Sequence, residues 1–416
     1  MPTDLAQFVA TSPLADTHEH QNAEAAWQAS PPDILCDVFD HYSVSDLVSA
    51  GAPQTATAAL FDAGRDVVDR FRAIEPWWRH IEHTGYGEAV RIAARTFYDL
   101  DELTAEGLAA ANGRAAEYRL PGGRDRIFRE VAGLDHVQID HFSYLCEPDP
   151  VDPSYYHYDV SWAGFSGGGF SVGALTAATG VEVGDPDSLR DALTALVARS
   201  APHAVAAKSQ HAYERTLAWQ ERDDDEIAPL LAAKIRGATL NRAQLDALGD
   251  WCLARAAELF AAHGLPVKIH TGHWAGNGGM KTEYVRPGLL APLLARYPGT
   301  RFVLMHAGWP YSEELIALAK HFANVVGDCC WAWSMAPLSV RDFIRHWLHA
   351  APANKLLTFG GDTGWPIASA AYAQQARTWL ARALQAEVDE GLMGEAQAIA
   401  AAGRLMVGNA REVFGL

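Results

Sequence analysis

The chain has 416 residues, 49% of them hydrophobic and 20% charged, and a formal charge of −18. That is enough apolar material for one large α/β domain or two smaller ones, while the acidic balance argues against nucleic acid or an anionic membrane as the main partner. No apolar run approaches the ~20 residues of a membrane span and no basic-then-apolar leader opens the sequence; the five cysteines (36, 146, 252, 329 and 330) fit no zinc ribbon or disulfide framework, so a reducing cytoplasm is the expected compartment.

The first element is "LADTHEH" (14–20), an apolar lead ending in His18 and His20. In an extended strand, residues i and i+2 point to the same side, so both imidazoles can aim at one point. Taken alone, the pair also reads as surface histidines at a polar strand end. About a hundred mostly helical residues follow, and we read 25–130 as an insertion capping a single domain that spans 1–416. It contains Trp77, Trp78, Arg79 and His80, either helix packing or a lid whose Arg79 pairs with a substrate carboxylate. "GLDHVQIDHFSYL" (133–145) is expected to be strand two. "YDVSWAGFSGGGF" (158–170) is expected to hold strand three and a mobile glycine loop.

From there the rhythm is regular. "HAVAAKS" (203–209) precedes a helical stretch (242–264) whose terminal Gly suits a C-cap. "LPVKIHTG" (265–272), "TRFVLMHAGWP" (300–310), "NVVGDCCW" (324–331) and "NKLLTFGGDTG" (354–364) alternate with helix-like 287–299, 313–323 and 340–352. Such alternation implies a parallel sheet with helical cover.

Each late strand ends in an ionisable group: Lys208 after "AVAA", His270 after "VKI", His306 after "VLM", Asp362 after "FGG". In parallel α/β folds ligands bind at the C-terminal strand ends. Buried His and Asp without partners are costly, and gathering them around a cation satisfies them together. The metal set is therefore His18, His20, Lys208, His270, His306 and Asp362. Its imidazole and carboxylate donors suit Zn²⁺, with Mn²⁺ or Fe²⁺ as alternatives, as one or two ions. A bound divalent ion lowers the pKa of its water to about 7. Asp362 is the candidate proton acceptor and His306 a second-metal ligand or acid/base, so both are also assigned as catalytic. Lys208 stays ambiguous: a plain ammonium repels a dication, whereas a carbamate formed with CO₂ bridges two metals. Unreacted, it holds a substrate carboxylate or acts as an acid behind the metal. His273 and Trp274, Trp309 and Tyr311, and Trp331 follow strands five, six and seven. They suggest a substrate pocket walled for a flat group. Arg215 reads as a structural ion pair, and Cys329 and Cys330 as buried thiols.

The ordered set resembles the amidohydrolase superfamily, and "IHTG", "MHAGWP" and "FGGD" resemble its amidohydrolase-2 branch. "KSQHAYER" is similar to the stretch after strand four in amidohydrolase domains related to nodulins and in those fused to glutamine synthetase. The insertion is similar to that of uronate isomerases. The resemblance covers most of the chain, most strongly 200–365. It implies a distorted (β/α)₈ TIM barrel with metal at the C-terminal mouth. It also implies His-x-His on strand one, Lys on strand four, His on strands five and six and Asp on strand eight. The branch contains hydrolases, non-oxidative decarboxylases and sugar-acid isomerases. In the decarboxylases the resemblance implies a metal on His18, His20, His270 and Asp362, with His306 as acid/base; those enzymes generally lack the strand-four Lys. The expectation is therefore a metal-dependent hydrolase acting on an amide, lactone or ester of a small, carboxylate-bearing substrate. Decarboxylation and isomerisation are the alternatives. Barrels of this kind often associate, so a homo-oligomer is expected.

Overall fold

Strands and helices alternate as the rhythm predicts. The computed structural model describes residues 3–416. Its strands are β1 (Leu14–Glu19), β2 (Leu134–Ile139), β3 (Tyr156–Ser161), β4 (Ala204–Ser209), β5 (Val267–Ile269), β6 (Phe302–Leu304), β7 (Val325–Asp328) and β8 (Leu356–Leu357). They pair in chain order, all parallel. The segment after β8 closes the ring onto β1: Thr17 N donates to Phe359 O (3.0 Å) and Asp362 N to His18 O (2.9 Å). This is the (β/α)₈ barrel. The two glycines of "FGGD" permit that closure. A Cβ on Gly361 would collide with the Glu19 carboxylate, and one on Gly360 would lie 2.9 Å from His18 N.

Early positions on the strands plug one end of the barrel with apolar side chains, Ala15, Val205, Val303, Val326 and Leu357, which pack with Phe414. Later positions carry the polar groups. The helix Arg242–Ala262 matches the reading of 242–264. Asn241 and Gln244 cap its start reciprocally, Gly264 follows it at φ 73°, and it buries Leu248, Trp251 and Phe260.

Two expectations near the middle of the chain are corrected. Strand two stops at Ile139, not 145, because the Asp140 carboxylate accepts from Phe142 N (2.7 Å) and turns the chain, with Phe142 at φ 58°. The glycines after β3 are not a mobile loop. Gly167 and Gly168 are buried, and a Cβ on Gly168 would strike the backbone of Leu245. They let this segment pack onto the helix Arg242–Ala262.

Between β1 and β2 every regular element is a helix, the first starting at Glu24 and the last ending at Val131. A buried polar knot holds this segment to the barrel. The Asp37 carboxylate accepts from Arg119 (2.5 Å), from Tyr98 and from Trp365 Nε1 (3.2 Å). The Arg119 guanidinium lies 3.6 Å from the centre of the Trp27 ring. Trp365 belongs to the same post-β8 stretch as Asp362, so the knot couples the helical segment to the loop bearing that carboxylate. Among the described residues no helix is long and apolar enough to cross a membrane.

Replacing Asp37 by Ala leaves Arg119 buried and unpaired. Urea denaturation is expected to register a loss of about 3–5 kcal/mol.

Candidate metal centre

The six residues singled out at the strand ends meet at one mouth of the barrel. His18 and His20 present their rings on the same side of β1, with centroids 4.8 Å apart. Asp362 Oδ1 lies 3.4 Å from His18 Nε2 and 3.2 Å from His20 Nε2. Its other oxygen, Oδ2, is 3.7 Å from His306 Nε2. His306 Nε2 is 2.8 Å from His270 Nδ1. Lys208 Nζ is 3.0 Å from His18 Nε2 and 3.4 Å from Gln210 Oε1.

The outer ring nitrogens decide what the inner ones carry. His20 Nδ1 is 2.8 Å from Asp140 O, His306 Nδ1 is 2.9 Å from Cys330 O, and His270 Nε2 is 2.9 Å from His273 O. A carbonyl only accepts, so each outer nitrogen is an N–H donor. The inner nitrogen of His20 then faces a carboxylate oxygen, and the neutral rings of His270 and His306 turn their lone pairs toward each other. Facing lone pairs at these distances require a cation or an extra proton. Protonation is disfavoured at two of them. Burial and the neighbouring His306 hold His270 well below its ordinary value, and burial pushes His306 down to about 4. Burial also lowers His18. At His20 burial works the same way, but the Asp362 carboxylate overrides it and raises the value. Burial opposes ionisation of Asp362, yet the flanking imidazoles hold it well below the usual carboxylate range.

Nitrogen and oxygen donors gathered in this way fit a divalent cation. The atoms of His18, His20 and Asp362 lie within 4.8 Å of one another, and a second such group joins His306, Asp362 and Cys330. The strand-end residues His306 and Asp362 adopt φ of 64° and 52°, and Ala307 and Trp331 beside them 52° and 59°. Left-handed backbone at non-glycine residues is costly and gathers where a site constrains the chain.

The substrate-side expectations divide. His273, Trp309 and Trp331 share one wall: the His273 ring is 5.4 Å from Trp309 and 6.0 Å from Trp331, which in turn meets His306 edge-on at 5.5 Å. Trp274 stacks on Tyr213, which lies 4.8 Å from His270. Arg79 is not in this group. Its side chain is 71% exposed on the last turn of the helix Val67–Ile81, where it pairs with Glu75 one turn earlier. Tyr311 turns instead to the Arg286 guanidinium, 5.4 Å from its ring. Arg215 forms a buried pair with Asp250 (2.8 Å).

Several groups at the site carry no strand-end pattern. Tyr42, from the helical segment, donates to Asp362 O (2.6 Å). Phe142 stacks on His20 at 4.4 Å. Asp159 Oδ2 is 3.4 Å from His18 Nδ1. Burial alone would raise Asp159, but Lys268 holds it below its ordinary value. Cys330 had a signal, since it lies just past the end of β7, but only the metal-site geometry separates it from Cys329. Tyr42 lies 320 positions from Asp362, and nothing local marks it.

Comparison with known proteins gives consistent results. A family model described as Amidohydrolase matches residues 152–416. Protein fluG of Emericella nidulans is 28% identical over 167 residues, 38% of this chain; the chain covers 19% of that protein's length. Among solved structures, the uronate isomerase of Thermotoga maritima superposes with a TM-score of 0.82 at 14% identity, over 99% of this chain and 96% of that one. The glucuronate isomerase of Caulobacter crescentus superposes with a TM-score of 0.80 at 16% identity, over 100% of this chain and 95% of that one. At these identities the likeness is one of fold.

Metal binding must expel the proton that the raised His20 retains, whereas His18 and His270 are already neutral. Zn²⁺ affinity, read by competition with a chelator, should fall about tenfold per pH unit below the His20 value, which lies above 6.5, with one proton released per ion.

Proposed function

Because the chain belongs to the amidohydrolase family, we propose that it is a metal-dependent hydrolase cleaving an amide, lactone or ester bond of a small substrate. The observation that carries this reading is the division of labour at Asp362, whose Oδ1 faces the His18 and His20 imidazoles while Oδ2 faces His306. His18, His20 and Asp362 would hold one cation, with His270 and His306 able to share a second. Zinc suits the donors, with manganese or iron as alternatives. When bound, such an ion polarises a carbonyl and makes water acidic near neutral pH.

The chain's own groups do the rest. Asp362 stays ionised, so its Oδ2 accepts the proton of the attacking water and delivers it to the leaving group. His306, neutral and anchored through Nδ1 to Cys330 O, keeps its Nε2 lone pair turned into the site, 2.8 Å from His270 Nδ1 and 3.7 Å from Asp362 Oδ2. Lys208 is the cation of the cluster and, with Gln210 beside it, meets a substrate carboxylate; Arg79 is too remote in its exposed pair to do so. The wall of His273, Trp309 and Trp331 accepts a flat group beside the strand-end residues. The buried, unpaired cysteines suit a reducing compartment such as the cytoplasm.

A second reading, isomerisation of a sugar acid, has its own support. The helical segment superposes together with the barrel on the uronate isomerase of Thermotoga maritima, and Tyr42 of that segment reaches the Asp362 backbone.

The test is a panel of N-acyl amino acids, lactones, esters and uronates in ¹⁸O-labelled water with the Zn²⁺-loaded protein. Hydrolysis is expected to place one label in the product, and Asp362→Asn to slow it by about 10²–10⁴-fold with Zn²⁺ largely retained. Undiminished turnover in that variant refutes the role of Asp362. A uronate product of unchanged mass without label overturns hydrolysis in favour of isomerisation.

A further inference from the structure

Beneath the metal centre lies a buried charge pair that no strand-end pattern announces. Lys268 on β5 and Asp159 on β3 both have fully buried side chains. Lys268 Nζ is 2.9 Å from each Asp159 oxygen, and it also donates to Thr17 O and Gln138 Oε1, both at 2.7 Å. The ammonium is thus saturated by acceptors from β1, β2 and β3. A buried pair of this kind adds little net stability, because desolvating both ions offsets most of their attraction. Its position suggests another role. Asp159 Oδ2 is 3.4 Å from His18 Nδ1, a buried nitrogen that makes no well-aligned hydrogen bond and has this carboxylate as its charged neighbour.

We propose that Asp159, oriented by Lys268, is a positioning residue that fixes the His18 imidazole with its proton on Nδ1 and its lone pair on Nε2 toward the metal centre. This rests on the metal-dependent reading above. With an ammonium on both its oxygens, Asp159 accepts and does not donate, and Lys208 Nζ, 3.0 Å from His18 Nε2, can only donate to it, so the ring's hydrogen belongs on Nδ1 facing Asp159. The opposite tautomer would direct an N–H at Asp362 and Lys208 and withdraw His18 from the donor set. Carboxylate or carbonyl partners of this sort set ring orientation and basicity at metal sites, and their loss typically costs 10–100-fold in affinity. His20, His270 and His306 take their tautomers from backbone carbonyls. His18 has no carbonyl in that place, and Asp159 does the corresponding work.

The experiment reads tautomer and metal affinity separately from activity. In metal-free wild-type protein, ¹⁵N imidazole spectra, with His18 assigned by His18→Asn, are expected to show the Nδ1–H form. An Nε2–H form overturns the proposal without any further variant. Asp159→Asn, whose amide can donate to Nδ1, is expected to populate the opposite tautomer and to weaken Zn²⁺ binding by about 10–100-fold. The double variant Asp159→Leu with Lys268→Met removes both charges at once and avoids a lone buried ion. It should weaken Zn²⁺ binding comparably and alter the visible absorption of the Co²⁺-loaded protein. A purely structural pair would lower the unfolding temperature and leave Zn²⁺ affinity, Co²⁺ spectrum and tautomer unchanged, which overturns the inference. Wild-type protein that binds no Zn²⁺ sinks the metal-dependent reading itself, whereas wild-type binding with unaffected variants sinks only the role of Asp159.

Discussion

Lone pairs converge at the mouth of this barrel. Outer ring nitrogens tied to carbonyls aim the inner nitrogens of His20, His270 and His306 into the site, and Asp362 adds two carboxylate oxygens between them. The facing lone pairs of His270 and His306 repel, and burial resists the extra proton that would relieve them. A divalent cation reconciles them, so the donor geometry and the family point to the same chemistry. The left-handed backbone at His306 and Asp362 is the local cost of aiming those donors inward.

The barrel serves this convergence through its closure. Asp362 reaches His18 because the chain after β8 hydrogen-bonds to β1, and two glycines let the backbones approach. Below, an apolar plug around Phe414 fills one end. Between plug and mouth lies the charged layer of Asp159 and Lys268. A layer of that kind is expensive to bury, which is why its value is better sought in the orientation of His18 than in stability.

The helical segment between β1 and β2 is more than a roof. Tyr42 touches the Asp362 backbone, and the knot of Asp37, Arg119 and Trp365 ties that segment to the loop bearing Asp362. The helical segment and the loop bearing Asp362 are therefore held together by direct contacts. Arg79 takes no part in these contacts: on its exposed helical turn it pairs with Glu75.

The strand-end histidines, Lys208 and Asp362 were legible because the alternation of apolar runs with helical stretches is a local property, and their order along the chain resembles that of the amidohydrolase superfamily. A polar residue at the end of an apolar run projects to the mouth wherever the run lies. The same locality accounts for the long helix Arg242–Ala262 and its capping. Other features belong only to the tertiary structure. Asp159 and Lys268 sit within ordinary strand sequence, 109 positions apart, and become partners across the barrel interior. Tyr42 meets Asp362 across 320 positions, and the packing of Gly168 against Leu245 depends on a helix that follows much later. Such contacts leave no periodic trace in the chain, because they are set by where closed elements pass one another in space and not by the spacing of residues along any one of them.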